Sequence, residues 1–145
     1  MTRGRLLIGA LALAAVTGAA WYLYDPPWIA NVTAGLRDIE RDAEGTRFRW
    51  TAGSASFFVP STASEIRLPM RAGFPGAGGQ PVVVQISVDG RWMADVTMSN
   101  PSEWVYTVAP LPRRPTRRRY RRVDLRVSRV VGFNLGVQLG EPTFR

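Results

Sequence analysis

The sequence predicts an all-β fold: an antiparallel, jelly-roll-like β-sandwich of about eight strands, preceded by one N-terminal transmembrane helix. Three observations support this prediction. Residues 6–24 carry no charge. From position 47 onward, short apolar runs alternate with Gly, Pro, Ser and Asn, which is typical of a sandwich. The chain has 145 residues, enough for an anchor and one domain but not for two domains.

The uncharged run Leu6–Tyr24 has the length of a membrane span. It contains 19 residues, and at about 1.5 Å per residue a helix of this length covers roughly 28 Å, close to the thickness of the hydrocarbon layer. Asp25-Pro26-Pro27 then ends the helix, because proline cannot donate to the helical hydrogen-bond ladder. Four aromatic residues near the far end are the expected anchors at headgroup level: Trp21, Tyr22, Tyr24 and Trp28.

The charges that flank the run predict its orientation. Arg3 and Arg5 precede it, whereas residues 25–45 hold two arginines against five acids, a net charge of −3. The positive-inside rule therefore predicts a cytoplasmic N-terminus and a periplasmic domain, in a single-pass protein of the bacterial inner membrane. This location excludes nucleic acid as a partner. A cleavable signal peptide, with Gly18-Ala19-Ala20 at the cleavage site, is the alternative.

Small residues recur along the predicted helix at every fourth position, at Ala10, Ala14 and Gly18. Such a stripe lets a second helix approach closely, so it is the predicted helix-packing face. The alternative is that alanine is simply common in this segment.

We expect three segments: residues 1–25 as the cytoplasmic N-terminus and the transmembrane helix, residues 26–46 as a linker, and residues 47–145 as the extracytoplasmic sandwich. Within the linker, four apolar residues stand at helical spacing, which fits a short helix or an irregular connection: Ile29, Val32, Leu36 and Ile39.

The strongest strand prediction is a hairpin over residues 82–98. Two alternating apolar runs flank Asp89-Gly90, and this dipeptide favours a tight two-residue turn. Six further strands are predicted from apolar alternation and turn residues: Phe48–Thr51, Ser56–Val59, Glu65–Met70, Trp104–Ala109, Val123–Val130 and Gly136–Phe144.

Several segments resemble a β-sandwich module of bacterial membrane proteins. They are residues 45–51 (GTRFRWT), 56–60 (SFFVP), 66–69 (IRLP), 125–128 (LRVS) and 135–139 (LGVQL). Such modules are similar to carbohydrate-binding jelly rolls and are often appended to multi-span glycosyltransferases. The resemblance implies a jelly-roll fold and a glycan as a partner. Gly132-Phe133-Asn134 stands where family members often carry an acidic and a basic residue, and this chain contains no multi-span catalytic part.

The composition argues against catalysis. The chain contains neither cysteine nor histidine, so it lacks thiol nucleophiles, imidazole bases and the usual transition-metal ligands. Four acids step by two along the linker, but they lack the glycine and the distal glutamate of an EF-hand loop and predict a solvated acidic face: Asp38, Glu40, Asp42 and Glu44. We therefore expect no enzyme, no cofactor and no metal.

The segment Pro110–Arg122, here called the arginine segment, holds seven arginines in 13 residues. Arginine pairs with carboxylate and phosphate, so these side chains are the predicted contacts to an acidic partner or to anionic lipid headgroups, with a solvated loop as the alternative. They are Arg113, Arg114, Arg117, Arg118, Arg119, Arg121 and Arg122.

Three functional hypotheses follow from these features, and the weakest of them is an enzyme that uses carboxylates alone. In the first, the chain is a non-catalytic accessory subunit that binds and stabilises a larger bacterial membrane protein complex; a photosynthetic reaction centre with its light-harvesting assembly is the specific guess, by analogy only. In the second, it is a membrane-anchored glycan-binding module. The second hypothesis predicts an exposed, coplanar set of aromatic side chains drawn from Trp92, Trp104, Tyr106 and Tyr120.

Overall fold

The N-terminal helix projects from the domain and contacts it at its C-terminal end. The computed structural model describes residues 3–74, 79–112 and 117–145, without the side chains of residues 3, 5 and 6. Helix α1 spans Arg3–Tyr24, and all of its described side chains are exposed. The stretch Leu7–Asn31 has a mean hydropathy of 1.6 and is long and apolar enough to cross a membrane; an N-terminal signal sequence meets the same criteria.

Nine strands follow in the described part of the chain. A short 3-10 helix, Pro27–Asn31, separates them from α1. The strands are β1 (Ala34–Arg41), β2 (Arg47–Pro60), β3 (Glu65–Arg71), β4 (Val82–Val88), β5 (Arg91–Met98), β6 (Val105–Pro110), β7 (Tyr120–Val127), β8 (Gln138–Gly140) and β9 (Thr143–Phe144).

All strand pairs are antiparallel, and the strand order is β5-β4-β7-β2-β8-β3-β6, with β1 beside β2 and β9 beside β3. The long strand β2 joins the two halves of this order. Its first half pairs with β8 and its second half with β7. The all-β prediction is confirmed, and the two strands predicted over 48–51 and 56–59 are parts of this one strand.

The core shows that the sheet curls back on itself into two layers. Apolar residues alternate along β3, β4 and β7, and their inward side chains join one buried cluster. Ile66 and Leu68 of β3 lie in this cluster with Ile86 of β4 and Leu125 of β7, all completely shielded from solvent. Strands from opposite ends of the strand order can share one core only when the layers face each other.

The predicted hairpin is present, with Val88 paired to Arg91 across the two-residue turn. Asp89 and Gly90 both adopt positive φ, 50° and 74°, the backbone that a type I′ turn requires.

The linker prediction is wrong in one respect. Residues Ala34–Arg41 form strand β1 rather than a helix, so the sheet begins well before position 47. The chain gains backbone hydrogen bonds by pairing with β2, and the exposed pattern along β1 shows that burial contributes little to this choice. Helical structure in the linker is limited to the 3-10 turn Pro27–Asn31.

The two ends of the sandwich differ in their neighbours. At the helix-proximal end lie the turns after β2 and β4, the beginning of β7 and the C-terminus. The Ser61 amide donates to the Arg119 carbonyl (2.7 Å), and the Asp89 amide donates to the Arg122 carbonyl (2.9 Å). At the distal end lie the turn between β1 and β2, residues 42–46, and the connection from β7 to β8, residues 128–137.

Candidate functional site

A polar groove of about 520 Å³ lies on the outer face of the layer that contains β2, β7, β4 and β5. We call it the Trp92 groove. Its polar lining consists of Ser54, Ser56, Gln85, Ser87, Trp92, Arg122, Asp124 and Arg126. The same strands bury their alternate residues in the core, so the pleat itself separates the apolar side chains from these polar ones.

The strand register sets the floor of the groove in two rows. In the first row, Ser56 lies opposite Asp124, which lies opposite Ser87. In the second row, Ser54 lies opposite Arg126, which lies opposite Gln85. Directly opposed positions on one sheet face hold their Cβ atoms about 5 Å apart, so each row is a continuous line of hydrogen-bonding groups.

Trp92 reaches the groove because β5 contains a bulge. Ile86 pairs with Ala94, but the next residue, Ser87, pairs with Trp92, so Met93 is an extra residue in β5. Met93 packs against the core instead. A bulge re-aims the side chains that flank it, and here it turns Trp92 to the outer face.

The indole of Trp92 is exposed but held in place. Its side chain keeps 62% of its surface accessible, and its Nε1 donates a hydrogen bond to Asp95 Oδ1 at 3.0 Å. Asp95 lies opposite Gln85 on the same outer face. One carboxylate therefore fixes the orientation of a large aromatic surface beside the polar floor.

The charges in the groove are largely paired with each other. Arg122 Nε lies 2.8 Å from Asp124 Oδ1, and their side chains are 57% and 30% exposed. The groove thus offers hydroxyl, amide, carboxylate and guanidinium groups beside an aromatic face, without a histidine or cysteine to act as base or nucleophile. This arrangement suits the binding of a polar ligand with apolar faces. Within the described ranges, no three His, Cys, Asp or Glu side chains come together as a metal site.

The predicted aromatic platform does not form as one surface. Trp92 lies on β5, whereas Tyr106, 66% exposed, lies on β6 in the other layer. Tyr106 and Trp104 line a separate shallow pocket with Arg41 and Arg47. From the sequence, Trp92 was one of four candidate aromatic residues. The bulge that turns it to the outer face could not be predicted from the residues around it.

Near this second pocket, the carboxylate of Asp42 organises the turn between β1 and β2. It accepts hydrogen bonds from the amides of Thr46 (2.8 Å) and Glu44 (3.1 Å), and Arg71 Nη2 lies 3.2 Å away. Burial by itself raises the pKa of Asp42, but the two amide hydrogen bonds and the Arg71 charge lower it more, so the net pKa lies below the ordinary 3.8. The Arg71 guanidinium also stacks 4.6 Å from the centre of the Trp104 ring.

The exposed residues of the arginine segment lie at the helix-proximal end. Arg117 and Arg118 are exposed, and Arg118 Cζ lies 4.8 Å from the centre of the Tyr24 ring. Arg122 is exposed and pairs with Asp124. Arg113 and Arg114 lie outside the described residues.

Arg121 departs from the predicted set of lipid or partner contacts. It is only 4% exposed; its Nε binds Asp89 Oδ2 at 2.9 Å, and its Nη1 donates to the Pro112 carbonyl at 2.9 Å. Its charge is therefore used inside the domain to hold the β4–β5 turn against the arginine segment. A buried arginine with its carboxylate cannot reach a headgroup or a partner surface.

Arg119 fastens the domain to the end of the helix. Its amide and Nε donate to the Asp25 carboxylate at 3.1 Å and 2.8 Å, and its Nη2 donates to the Asp25 carbonyl at 2.7 Å. Asp25 is 9% exposed, whereas the Arg119 side chain is 56% exposed. We call this contact the Asp25–Arg119 clasp. The contact joins residues 94 positions apart, so no local sequence pattern predicts it.

The predicted helix-packing and anchor residues lie on open surface. Ala10, Ala14 and Gly18 are exposed on α1, and a Cβ added at Gly18 would meet nothing within 4 Å. Trp21 and Trp28 are 64% and 53% exposed. Tyr22 and Tyr24 are 50% and 49% exposed. Their roles in helix packing and at headgroup level stay predictions.

Comparisons with known proteins find similarity in structure only. No family model and no curated protein matches the sequence. A family 6 carbohydrate-binding module has a TM-score of 0.49 at 10% identity, covering 79% of this chain and 86% of its own. A family 6 module from Clostridium cellulolyticum, solved with xylose, has a TM-score of 0.47 at 14% identity, with 78% and 88% covered. A family 51 module from Clostridium perfringens, solved with methyl-galactose, has a TM-score of 0.44 at 8% identity, with 74% and 79% covered.

These similarities concern the general form of the sandwich, and we transfer no residue and no ligand from them. No finding supports the reaction-centre hypothesis.

Proposed function

We propose that this chain is a non-catalytic, membrane-tethered module that binds a glycan in the Trp92 groove. The observation that carries the proposal is the indole of Trp92, which is 62% exposed and oriented by Asp95 beside rows of polar side chains. An exposed aromatic ring whose orientation is already fixed is pre-organised to stack on a ligand.

The chemistry of sugars matches both parts of the groove. A pyranose ring presents apolar C–H groups on its faces, which pack on an aromatic ring, and hydroxyl groups around its edge, which need donors and acceptors. Ser54 and Ser87 supply hydroxyls, and Gln85 supplies an amide that both donates and accepts. Arg126 adds donors on the same row, so a hydroxyl or an acidic group of the sugar can be bound there.

The tether belongs to the same proposal. With α1 in the inner membrane, the clasp would hold the domain at the bilayer surface, and the groove would meet glycans that lie near the membrane. Binding rather than hydrolysis fits the groove, because Asp124 is already paired with Arg122. A glycosidase needs two carboxyl groups free to act on the same bond.

The test measures glycan affinity of the full chain in lipid nanodiscs, since the headgroups of glycoside detergents would compete. A panel of glycans is screened first, and calorimetry then compares Trp92→Ala with the unchanged chain. We expect the variant to bind about tenfold more weakly, because an aromatic contact contributes about 1.5 kcal/mol.

Tyr106→Ala is the matched control, because it removes an aromatic of similar exposure (66%) from the other layer. The control should keep full affinity. Equal losses in both variants, or no binding to any glycan of the panel, would contradict the proposal.

A second candidate function is the accessory subunit, and a loop at the distal end favours it. Phe133 is 91% exposed, and its neighbours Val130 and Val131 are 44% and 47% exposed. The loop is held in shape, because Val131 pairs with Leu135 and the Gly53 amide donates to Asn134 Oδ1 at 3.1 Å. An ordered apolar tip of this kind fits a pocket on another protein.

Purification in a mild detergent tests this second function. A subunit of a larger complex should elute with constant partners, and Phe133→Ser should release them while leaving the Trp92 groove intact. If the unchanged chain elutes alone, the accessory-subunit hypothesis is wrong.

A further inference from the structure

We propose that the helix-proximal end of the sandwich is a binding surface for anionic phospholipid headgroups, formed by Arg91, Arg117 and Arg145 together with Arg118. The inference is independent of glycan binding. It rests on α1 spanning the membrane and on where the fold places charge.

The first step concerns depth. Tyr24 is the last residue of α1, and it stands directly after the apolar run. In a spanning helix this position lies at the headgroup layer. The Arg118 guanidinium stacks 4.8 Å from the centre of the Tyr24 ring, so this arginine lies at the same depth as the lipid phosphates.

The second step concerns orientation. The Asp25–Arg119 clasp uses three hydrogen bonds between the residue after α1 and the beginning of β7. Tyr24 and Asp25 are consecutive, so a contact to each of them fixes the domain against rotation about the helix end. The helix-proximal end therefore faces the bilayer rather than swinging freely.

The third step concerns charge. Three acids lie at this end. Asp25 pairs with Arg119 at 2.8 Å and Asp89 pairs with Arg121 at 2.9 Å, whereas Glu65 lies beside Arg145. Three arginines at this end are exposed: Arg91, Arg117 and Arg145. The fold places these three at the same end of the sandwich, in the β4–β5 turn, before β7 and at the C-terminus, although the sequence separates them widely.

The opposite end carries mixed charges, because Arg41 and Arg47 flank its turn and Arg71 pairs with Asp42. The turn between β1 and β2 presents Glu44 beside Asp42, at the distal end. An acidic protein would also neutralise the arginines. With α1 in the membrane, however, the arginines already lie at the phosphates of the bilayer, so no further partner is needed. A headgroup layer rich in anionic lipid is therefore the occupant to which the surface fits.

The experiment measures which lipid collects at this end. The chain has no cysteine, so Thr62→Cys, in the exposed turn after β2, gives a single labelling site at the helix-proximal end. The full chain carrying a fluorophore at this cysteine is placed in phosphatidylcholine nanodiscs with a small fraction of spin-labelled lipid, either phosphatidylglycerol or phosphatidylcholine. The ratio of the two quenching efficiencies reports local enrichment of the anionic lipid.

We expect the anionic tracer to quench about fivefold more strongly than the neutral tracer at low salt, which is the effect of one arginine near an anionic surface. High salt should bring the ratio toward one. Arg91→Ser with Arg117→Ser should lower the ratio in the same direction, without touching the clasp.

Arg41→Ser with Arg47→Ser is the charge-matched control, because both arginines are exposed beside the distal turn. It should leave the ratio unchanged. A ratio near one in the unchanged chain, or an equal fall in both double variants, would overturn the proposal. Neither result would bear on glycan binding, which Trp92→Ala tests separately.

Discussion

Asp42 shows how one side chain can hold an irregular turn by hydrogen bonding alone. Its carboxylate accepts the amides of Thr46 and Glu44 and faces Arg71, and all three contacts favour the ionised form. The pKa of Asp42 in the folded chain therefore lies below 3.8. A carboxyl with a depressed pKa contributes stability above its unfolded pKa and loses it as the pH falls through the folded value.

We predict that Asp42→Asn destabilises the sandwich at about pH 6. The difference from the unchanged chain should shrink as the pH falls below the ordinary carboxyl pKa and through the lowered folded pKa, because the carboxyl of the unchanged chain then becomes protonated itself. Urea unfolding of the full chain in nanodiscs, followed by tryptophan fluorescence, measures this difference. Asp38→Asn removes the same charge from an exposed position of β1 and should have little effect. A constant difference between pH 6 and pH 3 would show that Asp42 acts through shape rather than charge.

Arginine illustrates what residue type does and does not determine. The sequence marks Arg117 and Arg121 as equivalent members of one basic segment, yet Arg117 is exposed and Arg121 is 4% exposed. The difference comes from Asp89, 32 residues away, which the tight turn brings next to Arg121. Local composition predicts a basic surface here, but only the fold decides which charges remain on it.

At the level of strands, turn chemistry was the reliable signal. Asp89-Gly90 predicted the β4–β5 hairpin correctly, because the turn type depends on only two residues and the alternation beside them. The Met93 bulge was not predictable in this way. Shifting one residue in β5 reverses which side faces the core, and the pairing with β4 determines where the shift occurs.

Strand β1 shows the same limit from the other side. Ile29, Val32, Leu36 and Ile39 fit a helical period, and on the sequence alone a short helix was an equal alternative to an irregular linker. Pairing with β2 overrides that period, since Leu36 lies opposite Thr51 and Ile39 opposite Arg49. The helical spacing of the apolar residues was present but weak. The structure of this segment depends on its partner strand β2, which cannot be predicted from the residues of the segment itself.

For the whole molecule, the central feature is the fixed relation between helix and sandwich. The sequence predicted each of the two parts but treated the connection as a linker. Asp25 and Arg119 make it a rigid contact, with the Arg118–Tyr24 stacking beside it. If α1 spans the membrane, these contacts set which end of the domain faces the bilayer and how far the Trp92 groove lies above it.

This orientation can be measured with one fluorophore at two sites. Thr62→Cys labels the helix-proximal end, and Glu44→Cys labels the distal end. Strand β3, seven residues long, runs from the turn that holds Thr62 to Arg71, which binds Asp42 in the turn that holds Glu44. The two sites therefore lie about 23 Å apart at about 3.3 Å per residue. In nanodiscs with nitroxide-labelled headgroups, we expect strong quenching at position 62 and little at position 44.

Asp25→Asn then tests whether the clasp causes the difference. The amide keeps the size of the side chain but removes the charge that Arg119 binds, so the domain should reorient about the helix end. Quenching at position 62 should fall and quenching at position 44 should rise. Equal quenching at both sites in the unchanged chain would show that the domain is not held at all. If quenching at both positions is the same in Asp25→Asn as in the unchanged chain, the stacking of Arg118 on Tyr24 orients the domain instead, because the substitution leaves that contact in place.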